Sequence, residues 1–469
     1  FFRPHSISPL ASLFSICYNN TISIHIKEKE TVMSALKTVC ITTLGCRVNQ
    51  YESDALHETL TGMGFTLVGP GEKADITIVN TCTVTAVSDK KSRQVIRRAR
   101  KESPDGIIAV CGCYPQHAAD ALDGMGIDVL GGSADREAFL QQVLETARTK
   151  TKAKVLDEAL KRRQFEVLPA GGLEGRTRAM VKVQDGCVNF CSYCIIPYTR
   201  GPVRSAPLAL ALEQARELAR RDYREIVITG IEIASWGVDL PGKPPMADMV
   251  AAVCEAVPEL RIRLGSLEPR VITEDFCLRM KQYPNLCPQF HLSMQSGCDS
   301  VLARMKRKYD TARYLESVML LKNHFPGCAV TTDMIVAFPG GTEEEFAESL
   351  AFIQKCGFAD MHIFPYSRRP GTPADKMPGQ HGNAMKAQRS KQAIALATEL
   401  SAQYRRSLVG TVQQVLFEEP EGDFYTGHAP NYVKVYAPGA ELHNQTCAVQ
   451  ILDLYADGLL GKIVENSHS

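Results

Sequence analysis

Residues 187–194 read Cys-Val-Asn-Phe-Cys-Ser-Tyr-Cys, which sets Cys187, Cys191 and Cys194 at spacings of four and three. Thiols grouped this tightly are metal ligands more often than disulfide partners when the compartment is reducing. A closed structural zinc or a complete iron–sulfur site takes four protein ligands. Three thiolates would leave a metal open on one side, where a small molecule can bind and react. A zinc loop would bring a second CxxC or a His pair at a defined spacing, and none follows. Three packing cysteines remain as the alternative.

Three more cysteines, Cys46, Cys82 and Cys113, lie far apart in the chain, yet each comes just after a β-type run. These runs are "TVCITTLG" (38–45), "ADITIVNT" (74–81) and "GIIAVCG" (106–112), with the helical patterns "QYESDALHETLTGMG" and "SDKKSRQVIRRARKES" between them. Strand–helix alternation predicts a parallel sheet flanked by helices. The carboxyl ends of such strands share one edge, where ligands bind. Cysteines distant in sequence can therefore meet there.

A charged stretch from about 135 to 175, with "RTKTKAK" and "KRR", reads as a linker, drawn at 146–175. A second strand–helix series runs over 176–407 through "AMVKVQD", "EIVITGIEI", "RIRLGSLE", "QFHLSMQ", "AVTTDMIVAF" and "MHIFPYS". About six such units predict a complete or partial barrel. Residues 408–469 carry short strands separated by Gly and Pro and no helical pattern, which predicts a small β-barrel. The fold class is therefore α/β with a terminal all-β module.

Bulk composition fits this picture. At 469 residues the chain is long enough for two to four domains with real cores. No apolar run reaches bilayer length, so no membrane contact is expected. A net charge of +1 excludes a globally basic protein and confines any nucleic-acid contact to local patches. Sixteen cysteines without a secreted disulfide pattern point to the cytoplasm. Residues 1–32 make a poor signal peptide, and Met33 looks like the natural start. Residues 1–36 are expected to be a non-native or disordered extension, leaving 37–145 as the first domain.

The loop of Cys187, Cys191 and Cys194 after a barrel strand resembles that of the radical S-adenosylmethionine (SAM) enzymes. The resemblance implies that these three thiolates hold three irons of a [4Fe–4S] cluster. SAM would chelate the fourth iron, and reduction would release a 5′-deoxyadenosyl radical. "TLGCRVNQYES", "VNTCTVTAVSDKKSRQ" and "AVCGCYPQ" resemble the amino-terminal domain of methylthiotransferases, and "CSYCIIPYTRGPVRS", "RLGSLEP" and "HLSMQSG" strengthen the likeness. By that resemblance Cys46, Cys82 and Cys113 hold a second [4Fe–4S] cluster that takes part in sulfur insertion. The family pattern Gly-Cys-x-x-Gln selects Cys113 with Gln116, and leaves Cys111 to the strand. The ten remaining cysteines are read as packing residues.

"SLEP", "MQSG" and "DMIVAFPGGTEEEF" resemble the segments that cradle SAM, with Glu268, Gln295 and Ser296 facing the cofactor. The "FPGG" there fits either a close approach to ligand or a turn before a helix. Arg200 and Arg204 fit either a carboxylate or phosphate contact or a surface position.

"TLGCRVNQYESDAL", "VQDGCVNFCSYCIIPYTRG", "HIFPYSRRPGTPA" and "GHAPNYVKVYAP" resemble the MtaB-type subgroup, which acts on N6-threonylcarbamoyladenosine in tRNA. The implied product is the 2-methylthio derivative beside the anticodon. The implied partners are tRNA through its anticodon loop, SAM, and an electron donor such as flavodoxin or ferredoxin. Alternatives are the isopentenyl-adenosine subgroup (MiaB-type), a ribosomal-protein aspartate (RimO-type), or a non-catalytic iron–sulfur RNA-binding or redox-sensing protein.

Seven basic residues in the twelve of 90–101 could hold phosphates, or form a solvated helix face. The terminal module resembles a TRAM domain, an OB-like fold that binds RNA. It carries eight acidic residues against two basic ones, the wrong sign for a phosphate groove. Its Phe424, Tyr425, Tyr432 and Tyr436 could stack on bases or pack the barrel.

Overall fold

The computed structural model describes residues 36–173 and 175–464. Cys17 and residues 1–35 of the expected extension lie outside them.

Strands β1 (Thr38–Thr43), β2 (Thr66–Val68), β3 (Ile76–Thr81), β4 (Ile107–Gly112), β5 (Val129–Gly131) and β6 (Ala153–Val155) form one parallel sheet, ordered β2-β1-β3-β4-β5-β6. Its central strands β3 and β4 are buried at every position, as a parallel strand covered on both faces must be. Helices α1 (Arg47–Gly62), α2 (Ala86–Glu102), α3 (Cys113–Ala118) and α4 (Arg136–Thr149) connect the strands.

α4 and β6 correct the reading of 135–175 as linker. Phe139, Leu140, Val143 and Ala147 recur at helical spacing and pack onto the sheet. The dense charge around them belongs to the outer face of that helix and to an edge strand, where Lys is common.

The second series builds two four-stranded sheets. The first holds β7 (Arg178–Asp185), β8 (Arg204–Ser205), β9 (Glu225–Gly230) and β10 (Arg261–Leu264), in the order β10-β9-β7-β8. The other runs β11 (Ser266–Leu267), β12 (Gln289–Leu292), β13 (Ala329–Val336), β14 (Asp360–Pro365). A bridge between Ile262 and Leu286 and a 2.8 Å bond from the Cys287 N–H to the Ile262 carbonyl join them into one arc.

All pairings in the arc are parallel except β7 with β8, and β8 and β14 stand at its edges. This is a partial (β/α) barrel. Its helices are α5 (Ile196–Arg200), α6 (Leu208–Arg220), α7 (Met246–Ala256), α8 (Glu274–Met280), α9 (Asp299–Arg304), α10 (Thr311–His324), α11 (Glu343–Cys356) and α12 (Asn383–Arg406).

β15 (Val412–Glu421), β16 (Phe424–His428), β17 (Lys434–Ala437), β18 (Thr446–Tyr455) and β19 (Gly458–Ile463) close a barrel in the order β15-β16-β17-β19-β18. It docks beneath the amino ends of β7 and β10. The Arg263 guanidinium donates to the Pro430 carbonyl at 2.9 Å and covers the Tyr432 ring at 4.5 Å. Arg178 donates to Glu418, and Arg261 donates to the His428 carbonyl at 3.1 Å. Glu225 anchors this group, accepting from Arg263 Nε at 2.7 Å. Tyr432 thus serves the interface between domains, while Phe424, Tyr436 and Tyr455 pack on one another with centroids 5.0–6.2 Å apart.

Candidate active site

β1, β3 and β4 lie side by side, and their carboxyl ends deliver Cys46, Cys82 and Cys113 to one edge of the first sheet. Cys46 precedes α1 as its cap, Cys82 follows β3 directly, and Cys113 opens α3. Gly45 sits at φ +112, and a Cβ there would meet the Cys82 Cβ at 2.6 Å and its Sγ at 3.1 Å. Only a glycine lets these two loops approach so closely.

Asn49 ties the strand ends together, donating to the Leu44 carbonyl at 2.8 Å and to the Thr81 carbonyl at 2.9 Å. Cys46 is exposed at the rim of this edge, yet desolvation of its sulfur by the surrounding loops raises the thiol, and the neighbouring Cys113 adds to the rise. Burial likewise pushes the Cys82 thiol up to about 12, with Cys113 and Cys46 both contributing. The three sulfurs are therefore electrostatic neighbours.

The second triplet sits in the loop after β7. A left-handed Gly186 starts it at φ +75, where a Cβ would lie 1.9 Å from the Pro202 carbonyl oxygen. The Cys187 N–H donates to the Gly201 carbonyl at 2.9 Å, and the Cys194 N–H to that of Cys191 at 3.0 Å. Ser192 is clamped from the far side of the arc, its N–H on the Met305 carbonyl at 3.0 Å and its Oγ on that of Arg304 at 2.8 Å. The Asn189 N–H points at the Cys187 sulfur at 3.5 Å, and Arg307 donates to the Cys191 sulfur at 3.2 Å.

Burial raises the Cys187 thiol to about 11 and the Cys194 thiol to about 12, and each also feels the Cys191 thiol. Among the described residues no three His, Cys, Asp or Glu side chains converge as a single-ion site. Two sets of three unbridged thiols, each within electrostatic reach of one another and each met by an N–H donor to sulfur, offer the kind of donor set that an iron–sulfur cluster takes.

The expected SAM contacts separate on inspection. Glu268 reaches the mouth of the arc, accepting from Arg270 Nε at 2.8 Å. Gln295 has a left-handed backbone at φ +69, held by its N–H on the Asp333 carbonyl at 2.9 Å. Ser296 is turned elsewhere, with its hydroxyl 3.3 Å from that of Ser349 on α11 and accepting from the Cys298 N–H at 3.3 Å. The "FPGG" segment is a turn into α11, where Thr342 and Glu345 form a capping box.

Two residues that no spacing marks out join the mouth, Arg307 and Glu232. Glu232 lies near Cys187 and Glu268, and one of its buried carboxylate oxygens has no hydrogen-bond partner among the described residues. Such an orphaned acceptor calls for a donor from a ligand.

Arg200 and Arg204 are fully buried, so their position is internal. Arg200 donates to Glu52, to Asn49 Oδ1 at 2.7 Å and, from Nε, to the Cys113 sulfur at 3.3 Å. Arg204 pairs with Asp185 at 3.5 Å. Burial works to raise the Glu52 carboxyl, but Arg136, Arg200 and Lys182 overcome it and hold it well below the usual range.

Known proteins show the same two-part arrangement. A profile described as Uncharacterized protein family UPF0004 matches residues 38–130, and that of the Radical SAM superfamily matches 181–353. A radical S-adenosylmethionine methyltransferase from Kitasatospora setae, TsrM, solved with cobalamin and a [4Fe–4S] cluster, shares the fold at a TM-score of 0.54 and 14% identity, over 72% of this chain and 74% of that one.

Among curated relatives, the threonylcarbamoyladenosine tRNA methylthiotransferase MtaB of Bacillus subtilis is 37% identical over 442 residues, 92% of this chain and 98% of that protein. The protein of the same name from Thermotoga maritima is 34% identical over 82% of this chain and 87% of its own length. A tRNA-2-methylthio-N(6)-dimethylallyladenosine synthase from Acidothermus cellulolyticus is also 34% identical, over 82% and 78%. Similarity that runs from the first sheet into the terminal barrel, at nearly equal length, places this chain in the radical SAM methylthiotransferase family.

Proposed function

We propose that the protein converts N6-threonylcarbamoyladenosine beside the anticodon of tRNA to its 2-methylthio derivative. The observation that carries this reading is the 37% identity spanning 98% of the Bacillus subtilis MtaB. The family implies a [4Fe–4S] cluster and SAM, and Cys187, Cys191 and Cys194 are the residues that would hold the cluster. When bound and reduced, the pair supplies the radical that removes an unactivated hydrogen from the base.

Cys46, Cys82 and Cys113 would hold a second cluster that takes part in delivering sulfur. Glu232 and Glu268 would orient SAM by accepting from its hydroxyl or amino groups, and Gln295 would line the same mouth. An electron donor of flavodoxin or ferredoxin type would supply the reductant.

The target base must leave its stack to reach between the two cysteine sets, which costs little in an anticodon loop. Lys90, Lys91, Arg97 and Lys101 on α2 are exposed and have no ion-pair partner among the described residues. They would hold loop phosphates, since α2 begins four residues after Cys82. Nucleoside mass spectrometry on total tRNA from cells with and without the gene tests the reading. Loss of the methylthio form with accumulation of threonylcarbamoyladenosine is expected. An unchanged threonylcarbamoyl profile with loss of a methylthio isopentenyl nucleoside, or with no tRNA change at all, would overturn it.

A further inference from the structure

Arg200 closes α5, which begins two residues after Cys194, yet its guanidinium ends on the other cysteine set. The connection is rigid at both ends. Its neighbour Gly201, at φ +79, accepts the Cys187 N–H at 2.9 Å, and a Cβ at Gly201 would lie 2.0 Å from the Ala159 carbonyl oxygen. At the tip, Nη2 donates to Asn49 Oδ1 at 2.7 Å and to Glu52 Oε2 at 3.2 Å. Nη1 donates to the Ser133 carbonyl and to Asp185 Oδ2, both at 3.4 Å. Only Nε is left for sulfur, and it is aimed at Cys113.

Charge sharpens the point. Arg136, Lys182, Arg200 and Arg204 are joined by buried ion pairs to Glu52 and Asp185. Glu166, accepting from the Arg136 N–H, brings a third carboxylate. One positive charge remains in excess, in a region where unpaired charge is expensive. The group that this excess faces through Arg200 is the Cys113 sulfur. A [4Fe–4S] cluster on three thiolates is anionic and becomes more so on reduction, and hydrogen bonds to its sulfurs together with nearby charge set its potential.

We propose that Arg200 is a positioning residue for the second cluster, raising its reduction potential through the Cys113 sulfur and tying that centre to the loop of the radical SAM cysteines. This rests on the reading of Cys46, Cys82 and Cys113 as cluster ligands. The test uses full-length protein with Cys187→Ala, Cys191→Ala and Cys194→Ala combined, reconstituted with iron and sulfide. The reduced-cluster EPR signal is followed through an electrochemical titration.

In that background Arg200→Gln lowers the midpoint potential, Glu52→Gln raises it by freeing the guanidinium charge, and Arg200→Lys falls between Arg200→Gln and the parent. A merely structural role would change iron content without opposite shifts for the Arg and Glu variants. If Arg200→Gln takes up no iron, the sign of the Glu52→Gln shift decides. Potentials that coincide in all loaded variants, or a fall in Glu52→Gln, overturn the inference. A parent that binds no cluster at all would instead sink the second-cluster reading, which keeps the two failures apart.

Discussion

Each thiol triplet has its own work in the proposed reaction, so single substitutions should separate them. Cys191→Ala abolishes SAM cleavage, read as 5′-deoxyadenosine by chromatography. Cys82→Ala leaves cleavage measurable and removes the methylthio product. Identical behaviour of the two variants would refute this division of labour. Glu232→Gln keeps the shape of the mouth but removes the orphaned acceptor's charge, and weakens SAM binding about tenfold, the cost of one charged hydrogen bond. Equilibrium binding to the cluster-loaded protein measures it, and an unaltered affinity would remove Glu232 from the site. The cysteines were visible in the sequence because their spacing is itself a signal. Glu232 and Arg307 were not, because a lone charged residue carries no periodicity, and although Arg200 stood out as a carboxylate contact or a surface position, only the packing shows that it faces Glu52 and the Cys113 sulfur.

At the scale of elements, turns and caps hold the site in place. Gly186 needs both its left-handed φ and its missing Cβ, since the Pro202 carbonyl oxygen occupies that space. Gly186→Ala costs about 2 kcal/mol or more in stability and lowers iron retained at the Cys187 loop, read by denaturation and iron content. α11 depends on Glu345, whose carboxyl the Arg304 guanidinium holds down to about 2, with Ser300 and the Thr342 amide assisting against burial.

A depressed carboxyl lends stability that is fully present above its ordinary value of 4.5 and is lost as the pH falls towards about 2. Glu345→Gln therefore costs about 1 kcal/mol at neutral pH, because the pair is partly screened, and the difference from wild type vanishes at low pH. A pH-independent difference in denaturation would argue against that origin. The strand runs of both series were readable as elements from β-branched content. α4 and β6 were not, because charge on their outer surfaces masked a helical apolar stripe and a three-residue edge strand.

Across the whole molecule, buried arginines join the parts. Glu225 lies between Arg178 and Arg263 under the terminal barrel, and removing one partner strands a buried charge. Arg263→Met should lower stability by about 3 kcal/mol in denaturant titration. Loss within a few tenths would mean that the carboxylate finds another partner. The same docking accounts for part of the terminal barrel's negative charge, since Glu418 serves Arg178 within the chain. That barrel sits at the amino end of β7, whereas Cys187 follows the carboxyl end of the same eight-residue strand. Strand geometry puts roughly 25 Å between them, so contact of the barrel with substrate must fall away from the target base.

The sequence by itself determined the two cysteine triplets, the parallel strands that carry them and the closed terminal barrel, because each is written in local spacing or alternation. Tertiary structure alone decided that Arg200, anchored beside one triplet, donates to a sulfur of the other, that Ser296 turns to α11 while Glu232 faces the mouth, and that Tyr432 is spent on docking. These are contacts between residues tens to hundreds of positions apart, and their energies arise only when packing removes the water that would otherwise satisfy each group separately.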